Sequence, residues 1–238
     1  MKILSVECSA TPCSAAVIED GKILSSGFVN VKLTHSQTLM PMVDSVLKSA
    51  MLSIADVDGF ALSAGPGSFT GIRIGISAIK GMAAPKKLPC VGVSTLRAMA
   101  ENYRDTNCII CAVMDARCNQ VYNALFRIND GGVTRLCEDR ALLCDELKAE
   151  LERDYIDKDE KIIIVGDGLE VFYPFVAEYD NVIRADEQRR FQNAVGVGLS
   201  ATEEFKNGKT IGPEELLPIY LRLPQAEREL KLKKEQGK

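Results

Sequence analysis

One arrangement occurs twice in this sequence, and it restricts the fold more than any other feature. Residues 3–6 form a short apolar run that ends in a carboxylate, Glu7, and residues 108–114 form another that ends in Asp115. Each run is followed by a polar turn and a second strand pattern, at 14–19 and 120–128. A hairpin signal then opens a third strand: Asp20-Gly21 before 22–30, and Gly131-Gly132 before 133–137. A helical period comes next, at 39–51 and near 143–151, and then an apolar strand closing in a glycine turn. Those turns are Ala64-Gly65-Pro66-Gly67 and Val165-Gly166-Asp167-Gly168. The offset between copies is about 100 residues, a domain-sized duplication rather than a solenoid period of about 20–50. Further helices are predicted at 71–84, 94–103 and 193–205, with a strand at 89–93 between the first two.

The order β-β-β-α-β-α, read twice, predicts an α/β fold of two mixed-sheet domains. The expected divisions are 1–105, 106–212 and a C-terminal segment 213–238, whose residues from Glu227 alternate in charge as a solvated tail does. A chain of 238 residues, 46% hydrophobic and 26% charged, has the balance of a globular protein and needs neither disulfide nor metal to fold.

Composition removes several mechanisms. The net charge of -4 is unlike that of a chain that holds nucleic acid alone, which carries a basic face. There is one histidine, His35, so a self-contained multi-histidine metal site is excluded and few routes to histidine-assisted nucleophilic catalysis remain. His35 sits in Thr34-His35-Ser36-Gln37, which fits a capping box before the first helix; capping or surface exposure is expected of it. Of the eight cysteines, Cys108 and Cys111 have the spacing of half a zinc or redox motif. They lie in a strand pattern, where positions three apart face opposite sides, so buried thiols are expected. No leader or membrane-length apolar run is recognisable, and a cytoplasmic chain with reduced thiols is expected.

The glycine-rich stretch Gly65-Pro66-Gly67-Ser68-Phe69-Thr70-Gly71-Ile72-Arg73-Ile74-Gly75 joins a strand to a helix. It lacks the lysine of a P-loop, and Thr70 stands where a dinucleotide fingerprint has its third glycine. Two readings stand: backbone N–H groups aimed at an anion through Gly65 and Gly67, or a tight turn for close helix packing. Glu7 and Asp115, at strand ends, likewise either serve magnesium–phosphate chemistry or bind local N–H groups, the second being the simpler. The helix at 71–84 is apolar nearly all round, through Ile72, Ile74, Ile76, Ala78, Ile79 and Met82, which suggests burial on two faces and a partner on one. The methionines Met40, Met42, Met51 and Met82 suit an adaptable contact surface.

These residues resemble the TsaB (YeaZ) family nearly end to end. The resemblance rests on Ile3-Leu4-Ser5-Val6-Glu7-Cys8-Ser9, His35-Ser36, the glycine-rich stretch, Asp115-Ala116-Arg117 with Val121-Tyr122, Gly166-Asp167-Gly168, and the tail Pro218-Ile219-Tyr220-Leu221-Arg222-Leu223-Pro224-Gln225-Ala226-Glu227. It implies the duplicated actin/hexokinase-like (ASKHA) ATPase fold. It also implies a catalytic paralogue, TsaD, whose His-His-Met-Glu-Gly-His run supplies metal ligands; here Ser94-Thr95-Leu96-Arg97-Ala98-Met99 follows the equivalent strand, without histidine. Thr95 and Met99 cannot replace two imidazoles for a borderline divalent ion. Glu7 stands where the family usually has aspartate, which displaces the carboxylate by a methylene.

The resemblance implies a non-catalytic scaffold with no catalytic or metal-ligating residue and no cofactor of its own. Threonylcarbamoyl transfer to adenosine 37 of ANN-decoding tRNAs would occur on TsaD, with ATP, ADP and metal on partner subunits and the ATPase TsaE joining at the dimer contact. The contact is expected from the helices at 39–51 and 71–84, through Leu39, Met42, Val43, Val46, Arg73, Ile76, Ile79 and Lys80. A homodimer through the same surface is expected in isolation, tRNA contact only through the complex, and no membrane contact. The alternatives are a glycoprotease-like metallopeptidase and an independent ATP-binding ATPase of the same fold.

Overall fold

The computed structural model describes residues 1–158 and 160–222. The charge-alternating tail from Glu227, and the last part of the tail motif at 223–227, lie outside the described residues.

The first half folds as β1 (Lys2–Glu7), β2 (Cys13–Glu19), β3 (Lys22–Val29), α1 (His35–Ser49), β4 (Gly59–Gly65), α2 (Phe69–Ala83), β5 (Cys90–Ser94) and α3 (Thr95–Ala100). Its five strands are ordered β3-β2-β1-β4-β5. The first three form an antiparallel meander, and β4 and β5 add in parallel. The second half repeats the plan: β6 (Cys108–Arg117), β7 (Gln120–Asn129), β8 (Gly132–Arg135), β9 (Arg140–Leu143), α4 (Cys144–Asp154), β10 (Ile162–Val165), α5 (Leu169–Phe172), β11 (Val182–Arg184) and α6 (Ala194–Lys206). Its sheet runs β11-β10-β6-β7-β8, the same order as the first. The central strands β1 and β6 are buried on both faces, which explains their unbroken apolar runs. Asp20-Gly21 forms its turn with left-handed backbone; the second turn lies one residue before the expected Gly131-Gly132, at Asp130-Gly131, because Gly132 already opens β8.

Several elements differ from the sequence-based expectation. The strand expected at 133–137 ends at Arg135, and a further strand, β9, occupies the other end of the same β7 edge. The helix at 94–103 is α-helical only to Ala100 and tightens into a 3-10 turn at Glu101–Tyr103. The capping box at Thr34 does not form: its side chain makes no capping hydrogen bond. Cys108 and Cys111 do face opposite sides of β6, each in a different core cluster, and all eight cysteines are free. Burial pushes the Cys108 thiol up to about 11.

The layers explain how the halves hold together. α1 and α2 cover one face of the first sheet, and α4 and α5 cover the outer face of the second. Between the sheets lie α6, which packs on the sheet of the other half, and α3, which packs on both, its Ala98 against the first. Leu96, Met99 and Ala100 of α3 join the core of the second sheet, whereas Val197 and Ala201 of α6 pack on Ile3, Ala61 and Val91 of the first. The strands of the two sheets thus fall on either side of residue 105, whereas α6 covers the sheet of the other half. The C-terminal segment also returns to the first sheet: Ile211 pairs with Cys90 at the β5 edge, and Leu216 is buried in the α1–α2 core.

One buried carboxylate pins the α3–α6 crossing. The Glu101 side chain is fully buried and accepts from Arg97 Nε at 2.9 Å, from Arg104 Nε, and from Ser200 Oγ of α6 at 3.0 Å. Glu203 of α6 accepts from Arg97 Nη2 at 3.0 Å and also from Arg104. Removing one partner of such a pair strands the others in low dielectric. Glu101→Ala is expected to lower stability by about 3–5 kcal/mol, read as a shift of the urea midpoint at unchanged slope.

Candidate functional site

The ends of β1 and β6 face each other across a cavity of about 460 Å³ between the two halves. Its walls come from the β1–β2 turn at Ser9 and Thr11, the glycine turn at Pro66–Phe69, the β6 end at Asp115 and Arg117, and Asp167. Residues Ile219–Arg222 of the C-terminal segment line it as well.

The two candidate carboxylates are bound in the same way. Glu7 Oε1 accepts the Ser9 N–H at 2.5 Å, and Asp115 Oδ1 accepts the Arg117 N–H at 2.7 Å. Each strand-end acid thus closes its own turn two residues on. Glu7 has no exposed surface and its Oε2 has no hydrogen-bond partner. Burial pushes its carboxyl above the ordinary range. Asp115 is also ion-paired with Arg117 at 3.3 Å. A third acid, Asp167, lines the cavity without being among the sequence-based candidates. The signal was present in Gly166-Asp167-Gly168, the counterpart of Gly65-Pro66-Gly67. Burial pushes Asp167 up to about 6, against the Gln192 amide that donates to it at 3.0 Å and with the Asp115 charge nearby.

Gly65 and Gly67 have left-handed backbone (φ 134° and 154°), and their missing side chains admit other backbone. A Cβ at 65 would collide with the Ile219 carbonyl, one at 67 with that of Ser9, and one at 71 with that of Cys8. The Ser68 N–H donates to the Ser9 carbonyl at 2.5 Å, and Ser68 Oγ caps α2 through the Gly71 N–H at 3.2 Å. The stretch is therefore seated on the end of β1, the packing reading of its glycines. The second glycine turn repeats this, with Gly166 against the Val113 carbonyl of β6.

His35 neither caps α1 nor stands free in solvent. Its Nε2 lies 2.8 Å from the Ala10 carbonyl, and its Nδ1 is buried without a partner. It ties the start of α1 to the β1–β2 turn. At the start of α3, where the resemblance puts the paralogue's metal ligands, Thr95, Leu96 and Met99 are fully buried. Met99 packs in the core of the second sheet. No group of three His, Cys, Asp or Glu side chains is placed to hold a metal ion among the described residues, and no helix of the structure is long and apolar enough to cross a membrane.

The eight candidate contact residues divide sharply. Leu39, Val43, Val46 and Ile79 are at most 3% exposed and Ile76 only slightly more, all in the core beneath α1 and α2. Met42 packs partly against that core. Lys80 is half-buried and donates to the Glu214 carbonyl at 3.1 Å, which leaves Arg73 as the exposed member. The helix at 71–84 is thus not apolar on its outer side: Thr70, Arg73, Ser77 and Gly81 form the exposed stripe of α2. On α1 the exposed positions include Met40, Pro41 and Asp44.

A family model described as TsaD, tRNA N6-adenosine threonylcarbamoyltransferase, matches residues 29–230. The tRNA threonylcarbamoyladenosine biosynthesis protein TsaB of Escherichia coli K12 is 31% identical over 224 residues, 93% of this chain and 95% of that protein. The chain belongs to the TsaB family. TsaB of Bacillus subtilis 168 is 30% identical over 155 residues, 65% of this chain and 68% of its own length. The solved structure of YeaZ from Pseudomonas aeruginosa superposes with a TM-score of 0.77 at 26% identity, covering 92% of this chain and 99% of that one. Component A of the Acidaminococcus fermentans (R)-2-hydroxyglutaryl-CoA dehydratase matches with a TM-score of 0.52 at 12% identity, over 86% of this chain and 98% of its own. That likeness speaks to fold alone. The architecture is the duplicated actin/hexokinase-like ATPase fold.

Asp167 gives the cavity a pH signature. A carboxyl held up to about 6 in the folded chain contributes most to stability below its unfolded value of about 3.8 and loses that contribution as the pH rises through 6. Asp167→Asn keeps the oxygen that accepts from Gln192 but has no charge to bury. The variant is expected to be more stable than the parent at pH 7, by on the order of 2 kcal/mol, and no more stable at pH 4. Urea midpoints at the two pH values check this; an equal difference at both would contradict it.

Proposed function

We propose that this chain is the non-catalytic scaffold subunit of a tRNA threonylcarbamoyladenosine synthase. It would dimerise with a TsaD-type catalytic paralogue, which transfers the threonylcarbamoyl group from its adenylate to adenosine 37 of ANN-decoding tRNAs. TsaE would join at the contact between them, nucleotide and metal would reside on the partner subunits, and tRNA would be held by the complex. The observation that carries this reading is the start of α3, where Thr95, Leu96 and Met99 are core residues at the positions of the paralogue's metal-binding run. The Thr95 hydroxyl and the Met99 thioether, both fully buried where the paralogue has two imidazoles, offer no ligand set for a divalent ion.

The strand-end acids support the same reading. Glu7 is sealed from the cavity by its own turn, and Asp115 is engaged by the backbone and side chain of Arg117. Glu7 has no surface to offer a magnesium–phosphate group, and Asp115, which lines the cavity, would have to give up Arg117 to meet one. A net charge of -4 suits a subunit that does not grip tRNA alone.

The docking surface is read from exposure. The outer stripe of α2 is small at Ser77 and Gly81, so a partner helix can approach closely, with Arg73 at one end. Met40 offers an apolar contact on α1, 47% exposed. The same face would serve a homodimer in isolation.

Reconstitution tests the proposal. With TsaD, TsaE and the adenylate-forming enzyme from the same organism, threonylcarbamoylation of tRNA is expected to require this chain. Full modification in its absence would refute a scaffold role. Ser77→Arg, at an exposed helical position, is expected to weaken co-purification with the paralogue at least about tenfold, equivalent to about 1.4 kcal/mol, while the thermal midpoint stays unchanged.

A further inference from the structure

The described chain ends in an extended segment that crosses the mouth of the cavity from one half to the other. It is rooted at Leu216, which is 1% exposed in the α1–α2 core. The Ile219 N–H then donates to the Ala64 carbonyl at 2.7 Å, and the Ile219 carbonyl lies in the space left by the missing side chain of Gly65. Tyr220 stacks on Phe69 of α2, with ring centroids 4.5 Å apart. Arg73 completes the stack: its guanidinium lies over Phe69 at 3.9 Å and its Nε donates to the Tyr220 hydroxyl at 2.9 Å. Leu216, Ile219 and Tyr220 thus dock the segment on the first half. Two residues later Arg222 Nη1 donates to the Ala116 carbonyl at 2.5 Å, on β6 of the second half.

Away from the cavity the halves are held by the α3–α6 crossing at Glu101 and by the Asn102 bonds to Arg189, Phe191 and Asn193, and beside the cavity Ala10 of the β1–β2 turn packs into the core of the second sheet. The two halves are therefore joined by a packed hinge in the middle and by a thin bridge at the open end. We infer that residues 216–222 are a latch: Tyr220 fixes the segment to α2, Arg222 hooks the second half, and release of the pair opens the cavity about the α3–α6 crossing. The latch acts whether or not the α1–α2 face binds a partner. Arg73 belongs to both, so a ligand on that face that withdraws the Arg73 guanidinium would loosen the latch, and by linkage an open latch would alter the affinity of that face.

Hydrogen–deuterium exchange on the full chain tests this with Tyr220→Ala/Arg222→Ala, and with Leu217→Ser as a control at an exposed position of the same segment, 67% exposed. In the double variant the Ile219 amide is expected to lose protection. Peptides covering 66–69 and 114–117 are expected to exchange at least about fivefold faster, and those covering β1 and the centre of β6 to stay protected. The control is expected to match the parent. Persistent protection of Ile219 in the double variant would overturn the roles of Tyr220 and Arg222. Loss of Ile219 protection with unchanged exchange at 66–69 and 114–117 would overturn the latch.

Discussion

Backbone packed against backbone at the strand ends is the constraint on which the rest of the molecule depends. The carbonyls of Ser9, Cys8 and Ile219 occupy the places that side chains at 67, 71 and 65 would fill. Contacts this close exclude any residue but glycine, and they decide three things together. They seat the turn on β1, aim α2 across the first sheet, and give the C-terminal segment its docking place. Gly166 against Val113 does the corresponding work on β6. In a duplicated fold the space above these strand ends is where a ligand would meet both halves. Here Glu7 and Asp115 are used to close turns and Asp167 is held by the Gln192 amide, uses that support the proposal of a scaffold role.

The exchange of central helices makes the two halves one folding unit in energetic terms. α3 leaves the first half to cover the second sheet, and α6 returns to cover the first. Neither sheet can bury its inner face without the other half's helix. The Glu101 cluster at their crossing is a charged group held by two arginines and a hydroxyl, costly to strand and therefore demanding of correct docking. The outer face of α1 and α2 stands apart from this interlock, so it is free to serve assembly without disturbing the core.

Much of this was legible in the sequence because the central strands are buried on both faces and read as unbroken apolar runs. The duplication, the order of elements along each half and the buried state of Cys108 and Cys111 all follow from that pattern. The elements that were not legible are short: β9, β11 and α5 have four residues or fewer and set up no period. Thr34 had the spacing of a cap, but nothing local signalled that His35 reaches Ala10, 25 residues away. For Leu39, Val43, Val46 and Ile79, periodicity identified an apolar face without saying whether it covers the chain's own sheet or a partner; burial assigns it to the sheet. Asp167 was legible only through the equivalence of the two glycine turns. Tyr220 and Arg222 act on residues 147 and 106 positions away, and no local pattern encodes such pairs.

The proposed scaffold role requires that packing take the place of ligand chemistry at the strand ends of this chain. Calorimetric titration of the isolated protein with ATP and magnesium addresses it directly. No saturable heat up to millimolar nucleotide and no hydrolysis are expected. Tight stoichiometric binding accompanied by turnover would contradict it.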